Sequence, residues 1–528
     1  MEDHGWKKVT YVKKNKKSQK APAGKSKDSG VDEVEAPGNL FESLEKDTVE
    51  KGRKIDVNGE VGYDLEKGKK RVEKKEKVKK PKMPKVSIAD AAAKIDAGDL
   101  AAFLNDVGAS YESKQDIQLM RFADYFGRAF SAVNAAQFPY LKMFREEPVA
   151  KNADIPISHI SETVYKTSVD WISQKSYEAL GSFVLWVLES IMSDLLTQQS
   201  GSKGSKKASQ QASSKSQVAM FLVISMVLRR KPDVLINICS TLTENSKYQG
   251  QDKLLVIVWM IVQASQGDLA VGLYLWGHHT LPLLRGKQFS NPQLRDLVLQ
   301  LAERILSVPK SRSILVNGAV RKGERLLPPS ELDLLLRLSF PPSSTRAKST
   351  ERFAAIYPTL KAVALAGSPG SKAMKQVSQQ MMVISLRAAS EGIPELSKEA
   401  SSISIWCFSA SPDSFKHWDK LYMDNIEASV AILKKLNGDW KKLSAKQICT
   451  DPLVETLKSF RKKNEKALNG GVDVAAEAVF KEADKYCKLL LGRLSTGYGC
   501  LIFMALFVLA LAVLVKTFLF QMETLYSY

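Results

Sequence analysis

The feature of this sequence that most restricts its fold is a long apolar run close to the carboxyl terminus. Residues 498–515 contain no charge, and residues 517–520 continue the run after the single cation Lys516. A helix needs about 20 apolar residues to cross the roughly 30 Å of hydrocarbon in a bilayer. Because the run is apolar on every face and has little chain after it to cover it, we predict one transmembrane helix over residues 497–520.

Both ends of the predicted span carry residues typical of a membrane interface. Aromatic rings favour the headgroup level, and the long side chain of Lys516 can extend to the far interface. We assign the following residues to the membrane span: Tyr498, Leu501, Phe503, Phe507, Leu511, Val515 and Phe518.

The charges that flank this run indicate its orientation. Several cations precede it, whereas residues 521–528 carry only Glu523. The positive-inside rule then places the bulk of the chain in the cytosol and residues 521–528 in the lumen as a short tail. The first residues of the chain lack the apolar core of a signal peptide. We therefore expect a single-pass, tail-anchored protein.

Residues 471–496, just before the span, show the spacing of an amphipathic helix. In one interpretation this helix lies on the membrane surface, with its cations against anionic lipid. In the other, it packs its apolar side against the folded body like any other helix. The predicted apolar side consists of Ala475, Val479, Ala483, Cys487 and Leu490. The cations assigned to lipid contact are Lys481, Lys485, Lys488 and Arg493.

At the other end of the chain, residues 1–85 are rich in charge and poor in apolar clusters. Such a segment buries too little apolar surface to offset the entropy of ordering, so we predict a disordered basic arm. The formal net charge of the whole chain, +20, fits an acidic partner, namely an anionic membrane, an acidic protein surface or nucleic acid, and it equally fits a solvated basic surface with a basic tail. Aromatic rings among lysines at Trp6, Lys7, Lys8 and Tyr11 form a candidate docking motif, and the alternative is that the two aromatic rings are simply exposed.

Apolar residues between the arm and the span recur at helical spacing, and no stretch alternates like a strand. Asn-Gly pairs fall between helical patterns and therefore fit helix ends rather than hairpins. We predict an N-terminal helical region over residues 86–197, a Ser/Gly/Lys linker over 198–217 and further helices over 218–470. Short helices joined by short loops indicate an all-α fold, specifically an irregular armadillo/HEAT-like α-solenoid.

Several local features of these helices are also predicted. Ser87 fits the N-cap of the first ordered helix, and Asn291 fits the N-cap of a later one. Ser330, with Asp333 three residues later, resembles a capping box. One helix carries an apolar stripe that consists of Leu180, Phe183, Val184, Val187, Leu188, Ile191 and Leu195.

No motif in the sequence indicates enzymatic chemistry. The stretches GSKGSKK and GSPGSK lack the P-loop pattern, and the adjacent His278 and His279 point to different faces. The five cysteines are widely spaced and no Asn-x-Ser/Thr acceptor occurs, which fits a reducing compartment rather than a disulfide framework. We therefore expect a protein that is not an enzyme and that holds no metal or cofactor.

One segment of the helical region carries a family resemblance. The stretch SPDSFKHWDKLYMDNIEASVAILKKL contains the pattern Asp413, Phe415, Trp418, Leu421 and Tyr422. Together with the opening GWKKVTYVKK and the apolar run near the end, it resembles the transmembrane protein 214 family. The resemblance implies an endoplasmic-reticulum (ER) membrane protein with a large cytosolic helical part. It also implies a link to death signalling under ER stress, as an anchor that recruits an initiator caspase, and it supplies no catalytic residues.

Animal members of that family continue beyond this span and carry a second hydrophobic segment, so we expect this chain to represent a short form with one span.

Two functional hypotheses follow from the sequence. The first is a non-enzymatic scaffold or adaptor, an α-solenoid fixed to the ER membrane that presents its surface to cytosolic proteins. The alternative is an ER-tethered RNA- or ribosome-binding protein that acts through the Lys-rich arm, although the sequence contains no nucleic-acid-binding module.

Overall fold

The computed structural model describes residues 86–201, 216–286, 291–444, 451–471 and 473–495, together with Lys516. The predicted arm, most of the predicted linker, the luminal tail and the span apart from Lys516 lie outside the described residues. Over the described residues the chain is helical, and its strands are confined to one short hairpin. The all-α class is therefore confirmed, whereas the armadillo/HEAT-like arrangement stays a prediction.

The first helices begin where polar side chains satisfy free backbone N–H groups. The N–H of Asp90 donates to Ser87 Oγ at 3.1 Å, and the N–H of Ser87 donates to the Asp90 carboxylate at 3.2 Å. This reciprocal capping box confirms Ser87 as an N-cap. In chain order these helices are α1 (Ile88–Ala92), α2 (Ala97–Ser110), α3 (Gln115–Ala129), α4 (Tyr140–Glu146), α5 (Val149–Asn152), α6 (Glu162–Ser173) and α7 (Tyr177–Gly201).

Among the described residues, α7 alone contains a stretch, Tyr177–Thr197, with the length and composition of a membrane span. Within its most apolar window, 56% of the residues are buried inside the protein. Its carboxylates also bond to the folded body, because Tyr140 donates to Asp194 at 3.1 Å and Tyr248 donates to Glu189 at 3.3 Å. We therefore interpret α7 as a core helix. Its predicted apolar stripe is confirmed as a buried face that consists of Leu180, Phe183, Val184, Val187, Leu188, Ile191 and Leu195.

The next helices contain the most continuous buried stretches of the described chain. In order they are α8 (Gln217–Arg230), α9 (Asp233–Asn237), α10 (Cys239–Glu244), α11 (Gln251–Gly267), α12 (Leu269–Leu275), α13 (Pro292–Leu306) and α14 (Ser311–Asn317). Residues 218–228 of α8 are buried on every side. Phe221 and Trp259 meet edge to face, with ring centroids 5.0 Å apart, and Trp259 Nε1 donates to the carbonyl of Asn152 at 3.1 Å. Asn291 caps α13 as predicted.

A short β-hairpin follows α14, where the sequence predicted none. Strands β1 (Val320–Arg321) and β2 (Glu324–Arg325) pair antiparallel across a two-residue turn. Lys322 (φ 49°) and Gly323 (φ 87°) both have positive φ, the conformation that a type I′ turn requires at both positions. The sequence pattern missed this turn because a lysine occupies the position where asparagine is usual.

Arg321 ties the hairpin to the starts of two helices. Its guanidinium donates to Asp233 of α9 at 2.6 Å and to Asp268, the N-cap of α12, at 2.7 Å. The hydrogen bond from Arg321 lowers the pKa of Asp233 below its usual 3.8. The hairpin therefore holds two helix starts together through one cation.

We expect Arg321→Gln to lower the free energy of unfolding by about 1.5–3 kcal/mol near neutral pH, because hydrogen bonds to charged groups contribute about that much. The folded-state pKa of Asp233 is depressed, so this contribution is present above pH 3.8 and is lost as pH falls through the folded-state value. Urea unfolding of the full chain at neutral and acidic pH measures both effects. The matched control is Arg312→Gln, at an exposed position of α14. Equal stability of wild type and Arg321→Gln at neutral pH would contradict this role.

The helices after the hairpin pack largely against near neighbours in the chain, as α15 does on α16 and α17 on α18. In order they are α15 (Pro329–Ser339), α16 (Lys348–Ala364), α17 (Lys372–Ala389), α18 (Pro394–Ala410), α19 (Asp413–Leu421), α20 (Ile426–Gly438), α21 (Trp440–Ser444), α22 (Asp451–Asn469) and α23 (474–495). The predicted Asn-Gly helix ends are confirmed at residues 317–318, 437–438 and 469–470. The predicted capping box at Ser330 is wrong, because Pro329 already occupies the first helical position of α15.

Candidate membrane-proximal groove

Helix α23 lies directly before the predicted span and packs against the folded body. Its buried face consists of Phe480, Ala483, Cys487, Leu490 and Leu494. The predicted apolar side is therefore right for three of its five residues but wrong for Ala475, which is exposed, and for Val479, which is half-buried. Phe480 and Leu494 complete the buried face, which is set by where α20 and α22 contact this helix.

Two polar contacts connect α23 with α20 and α22. Arg461 Nε donates to Asp484 Oδ1 at 3.1 Å, and Arg493 donates to the carbonyl of Asn437 at 2.7 Å. Of the two interpretations of residues 471–496, these contacts support a helix packed on the body. Its polar side faces outward, so the same helix still has cations available for a second contact.

The outward side of α23 borders an open groove of about 770 Å³. Leu468, at the end of α22, forms part of the opposite lining, and the exposed Leu489 lies among the cations. The groove brings together the four cations predicted to contact lipid: Lys481, Lys485, Lys488 and Arg493.

One carboxylate, Asp484, also lines this groove. Burial alone would raise its pKa, but hydrogen bonds from Lys488, at 2.6 Å, and from Arg461 outweigh burial and lower the pKa. Asp484 is therefore ionised at neutral pH and already paired with two cations. Lys481 pairs with Glu477 at the exposed rim, and no carboxylate of the described residues forms an ion pair with Lys485.

A second groove, of about 690 Å³, lies between α15, α16 and α18. Phe340 contributes apolar surface, and Lys348 and Lys398 are exposed cations on its lining. Arg346 and Glu395, also on the lining, form an ion pair. Apolar surface within a charged rim is typical of protein-binding sites. No sequence pattern indicates this groove, because its lining residues come from separate helices.

Of the three cysteines among the described residues, two are buried and one, Cys239, is half-buried. Cys407 and Cys487 are fully buried, and burial raises the pKa of both thiols, to about 12 for Cys487. Neither thiol ionises at neutral pH. The described residues contain no group of His, Cys, Asp and Glu that could hold a metal ion. That the protein is not an enzyme stays a prediction.

His278 and His279 contact different partners, as their adjacent positions predict. His278 Nε2 donates to the carbonyl of Arg325 at 2.9 Å, whereas His279 Nδ1 lies 2.9 Å from Thr243 Oγ1. Both belong to a π-helical turn, Trp276–Thr280, that no sequence pattern predicted. The pair therefore joins neighbouring elements and does not form a metal site.

Three of the five residues that carry the family resemblance pack in the core, whereas Asp413 and Leu421 are half-buried. Phe415, Trp418 and Tyr422 are at most 2% exposed. Trp418 and Tyr422 pack on Phe460 of α22, with ring centroids 4.8 Å and 3.7 Å away. Trp418 Nε1 also donates to Ser429 Oγ of α20 at 3.0 Å. This segment therefore holds α19 against α20 and α22, and its residues are not part of the lining of either groove described above.

The remaining residues singled out in the sequence lie outside the described residues, and their roles stay predictions. They are the docking residues Trp6, Lys7, Lys8 and Tyr11 and the span residues Tyr498, Leu501, Phe503, Phe507, Leu511, Val515 and Phe518.

Comparisons with known proteins support the family resemblance. The family model described as "TMEM214, C-terminal, caspase 4 activator" matches residues 3–524. Transmembrane protein 214 of Homo sapiens is 26% identical over 273 residues, which are 51% of this chain and 37% of that protein. The protein of the same name in Bos taurus is 26% identical over 274 residues, with the same shares. No solved structure matches the chain.

A third relative, transmembrane protein 214-A of Xenopus laevis, is 25% identical over 246 residues, or 46% of this chain and 33% of that protein. The aligned part thus spans about a third of the length of these curated relatives. The family model, by contrast, extends over nearly the whole sequence, from the predicted arm to the end of the predicted span. The chain therefore belongs to the transmembrane protein 214 family.

Proposed function

We propose that this protein is a non-enzymatic scaffold, fixed in the ER membrane by residues 497–520, that presents its helical body to cytosolic proteins. The apolar run and the family name support membrane attachment. The cations before the run support a cytosolic body. The unpaired, buried thiols of Cys407 and Cys487 suit a reducing compartment.

One observation carries the scaffold proposal: the described helices leave two grooves with charged linings. A surface of this kind binds a partner by shape and charge. An armadillo/HEAT-like stack of helices, which we also propose, would extend such a surface along the body.

The family description supplies the finer part of the proposal. The family is described as a caspase 4 activator, and this implies a protein partner. We propose that the scaffold recruits a caspase zymogen to the ER membrane in stress or death signalling, because concentrating molecules on a membrane favours their association. The groove between α15, α16 and α18 is the proposed contact surface.

Charge reversal at this groove tests the recruiting role. We expect Lys348→Glu combined with Lys398→Glu to weaken binding of purified caspase-4 zymogen to the membrane-reconstituted full chain by about tenfold or more, because like-charge contacts are unfavourable at an interface. Lys416→Glu combined with Lys420→Glu, at exposed positions of α19 away from the groove, is the control with equal charge change. Binding that both double variants weaken equally would rule out this groove.

A second function rests on the Lys-rich arm, whose cations could neutralise phosphates. Crosslinking of the intact protein in cells separates the two functions. Recovery of defined proteins through residues 218–470 favours the scaffold, whereas recovery of RNA through residues 1–85 favours an ER-tethered RNA- or ribosome-binding protein.

A further inference from the structure

The groove beside α23 combines cationic and apolar surface. Lys481, Lys485 and Lys488 line it, and each ammonium group offers three hydrogen-bond donors. Leu489, which is 45% exposed, and Leu468 line the same groove. The groove is widely open to solvent, so a ligand would lie along its surface rather than in an enclosed cavity. A ligand that is anionic at one end and apolar at the other would match both kinds of lining.

The carboxylates nearby leave the groove cationic. Asp484 already bonds to Arg461 and Lys488. The pair of Lys481 with Glu477 is an exposed contact between successive helical turns, and such pairs contribute little. Lys485 forms no ion pair with a carboxylate of the described residues. The groove can therefore accept more than one negative charge.

Chain geometry places this groove close to the predicted membrane surface. From Lys488 to Ser495 the chain is helical, and this segment rises about 10 Å. Three further residues reach Tyr498, over at most about 11 Å if fully extended. If residues 497–520 span the bilayer, the backbone of Lys488 lies within about 21 Å of Tyr498 and that of Lys481 within about 32 Å, so the Lys488 end of the groove is the nearer to the lipid headgroups.

We propose that this groove binds the headgroup of a lipid that carries more than one phosphate. Lys481, Lys485 and Lys488 contact the phosphates, and Leu468 and Leu489 contact the glycerol and upper acyl carbons. The apolar lining distinguishes a lipid from a free phosphate compound, which would gain nothing from it. Binding of this lipid would orient the helical body on the membrane, so the inference deepens the proposed scaffold function and rests on its membrane anchor.

The test uses the full chain in neutral detergent micelles and a fluorescent short-chain phosphatidylinositol bisphosphate as the probe. We expect saturable binding that short-chain phosphatidylcholine does not compete. A lysine near an anionic surface contributes about fivefold in affinity. The triple variant Lys481→Gln, Lys485→Gln and Lys488→Gln should therefore bind on the order of 100-fold more weakly.

Two control variants make the result specific. Arginine at the same three positions keeps the charge and should retain binding within about threefold. Glutamine at Lys416, Lys420 and Lys458, which are exposed and lie outside the groove, removes equal charge and should leave binding unchanged. Equal losses in the two glutamine variants, or absence of probe binding to wild type, would overturn the proposal.

Free inositol trisphosphate is then tested as a competitor of the fluorescent lipid. Competition as strong as that of the lipid would overturn the lipid assignment and point to a soluble phosphate ligand. Carbonate extraction of cell membranes tests the membrane anchor independently of the micelle assay. If residues 497–520 do not anchor the protein, carbonate releases the wild type from membranes while lipid binding in micelles is unchanged. If the groove does not bind the lipid, binding in micelles is absent while the wild type stays in the carbonate pellet.

Discussion

Deletion of residues 497–528 is expected to move the protein from the carbonate-resistant membrane pellet to the soluble fraction. Residues 498–515 contain eleven Leu, Ile, Phe and Val residues. On an insertion scale these contribute about 3–7 kcal/mol together, so membrane partitioning should fall at least about a hundredfold on their removal. Fractionation of cells that express the intact and the shortened chain measures this change.

A point variant makes the same test without shortening the chain. Leu506→Arg places a charge near the middle of the apolar run, where it costs about 3 kcal/mol or more, whereas Lys516→Arg keeps the charge that is already present. We expect Leu506→Arg to increase the carbonate-extractable fraction and Lys516→Arg to leave it unchanged. A shortened chain that stays in the pellet after carbonate would show that another segment enters the membrane.

The largest expected effect on folding is that of Trp418→Ala, which should lower the free energy of unfolding by about 3–5 kcal/mol. Trp418 is fully buried, and its ring packs between Phe408 and Phe460, with ring centroids 5.1 Å and 4.8 Å away. Alanine leaves a cavity there and leaves Ser429 Oγ without the hydrogen bond from the indole. Urea unfolding followed by far-ultraviolet circular dichroism measures the loss.

One further variant separates the loss of apolar volume from the loss of the indole hydrogen bond, and another serves as an exposed control. Trp418→Phe keeps most of the apolar volume but loses the indole N–H, so its cost should be smaller than that of alanine. Met423→Ala, at a side chain that is 43% exposed just after α19, should cost under about 1 kcal/mol. A Trp418→Ala variant as stable as Met423→Ala would mean that the family motif does not hold α19 in place.

Elements with strong helical periodicity could be predicted from the sequence. The apolar stripe of α7 and the Asn291 cap of α13 appear in the structure as expected, because periodicity and capping act over a few neighbouring residues. The π-helical turn Trp276–Thr280 and the Lys322–Gly323 hairpin turn were not predictable. The first has no local signature, and in the second the hairpin's packing on α9 and α12 outweighs the weak turn preference of lysine.

The candidate groove beside α23 could also be predicted only in part from the sequence. The spacing of Lys481, Lys485 and Lys488 already places them near one another on a helix, so part of the site could be predicted. Which side of α23 is buried depends on α20 and α22, and this favoured Phe480 and Leu494 over Ala475. The contribution of Leu468 comes from another helix and required the folded structure.

The topology of the carboxyl terminus tests the scaffold proposal most directly. A polar extension that carries an Asn-x-Thr acceptor, fused after Tyr528, should be glycosylated in ER membranes, and an acceptor engineered within residues 1–85 should stay unmodified. Removal of residues 497–520 from the extended chain should abolish the modification. An unmodified carboxyl-terminal acceptor together with a glycosylated acceptor in the arm would contradict a cytosolic helical body held by a spanning carboxyl-terminal helix.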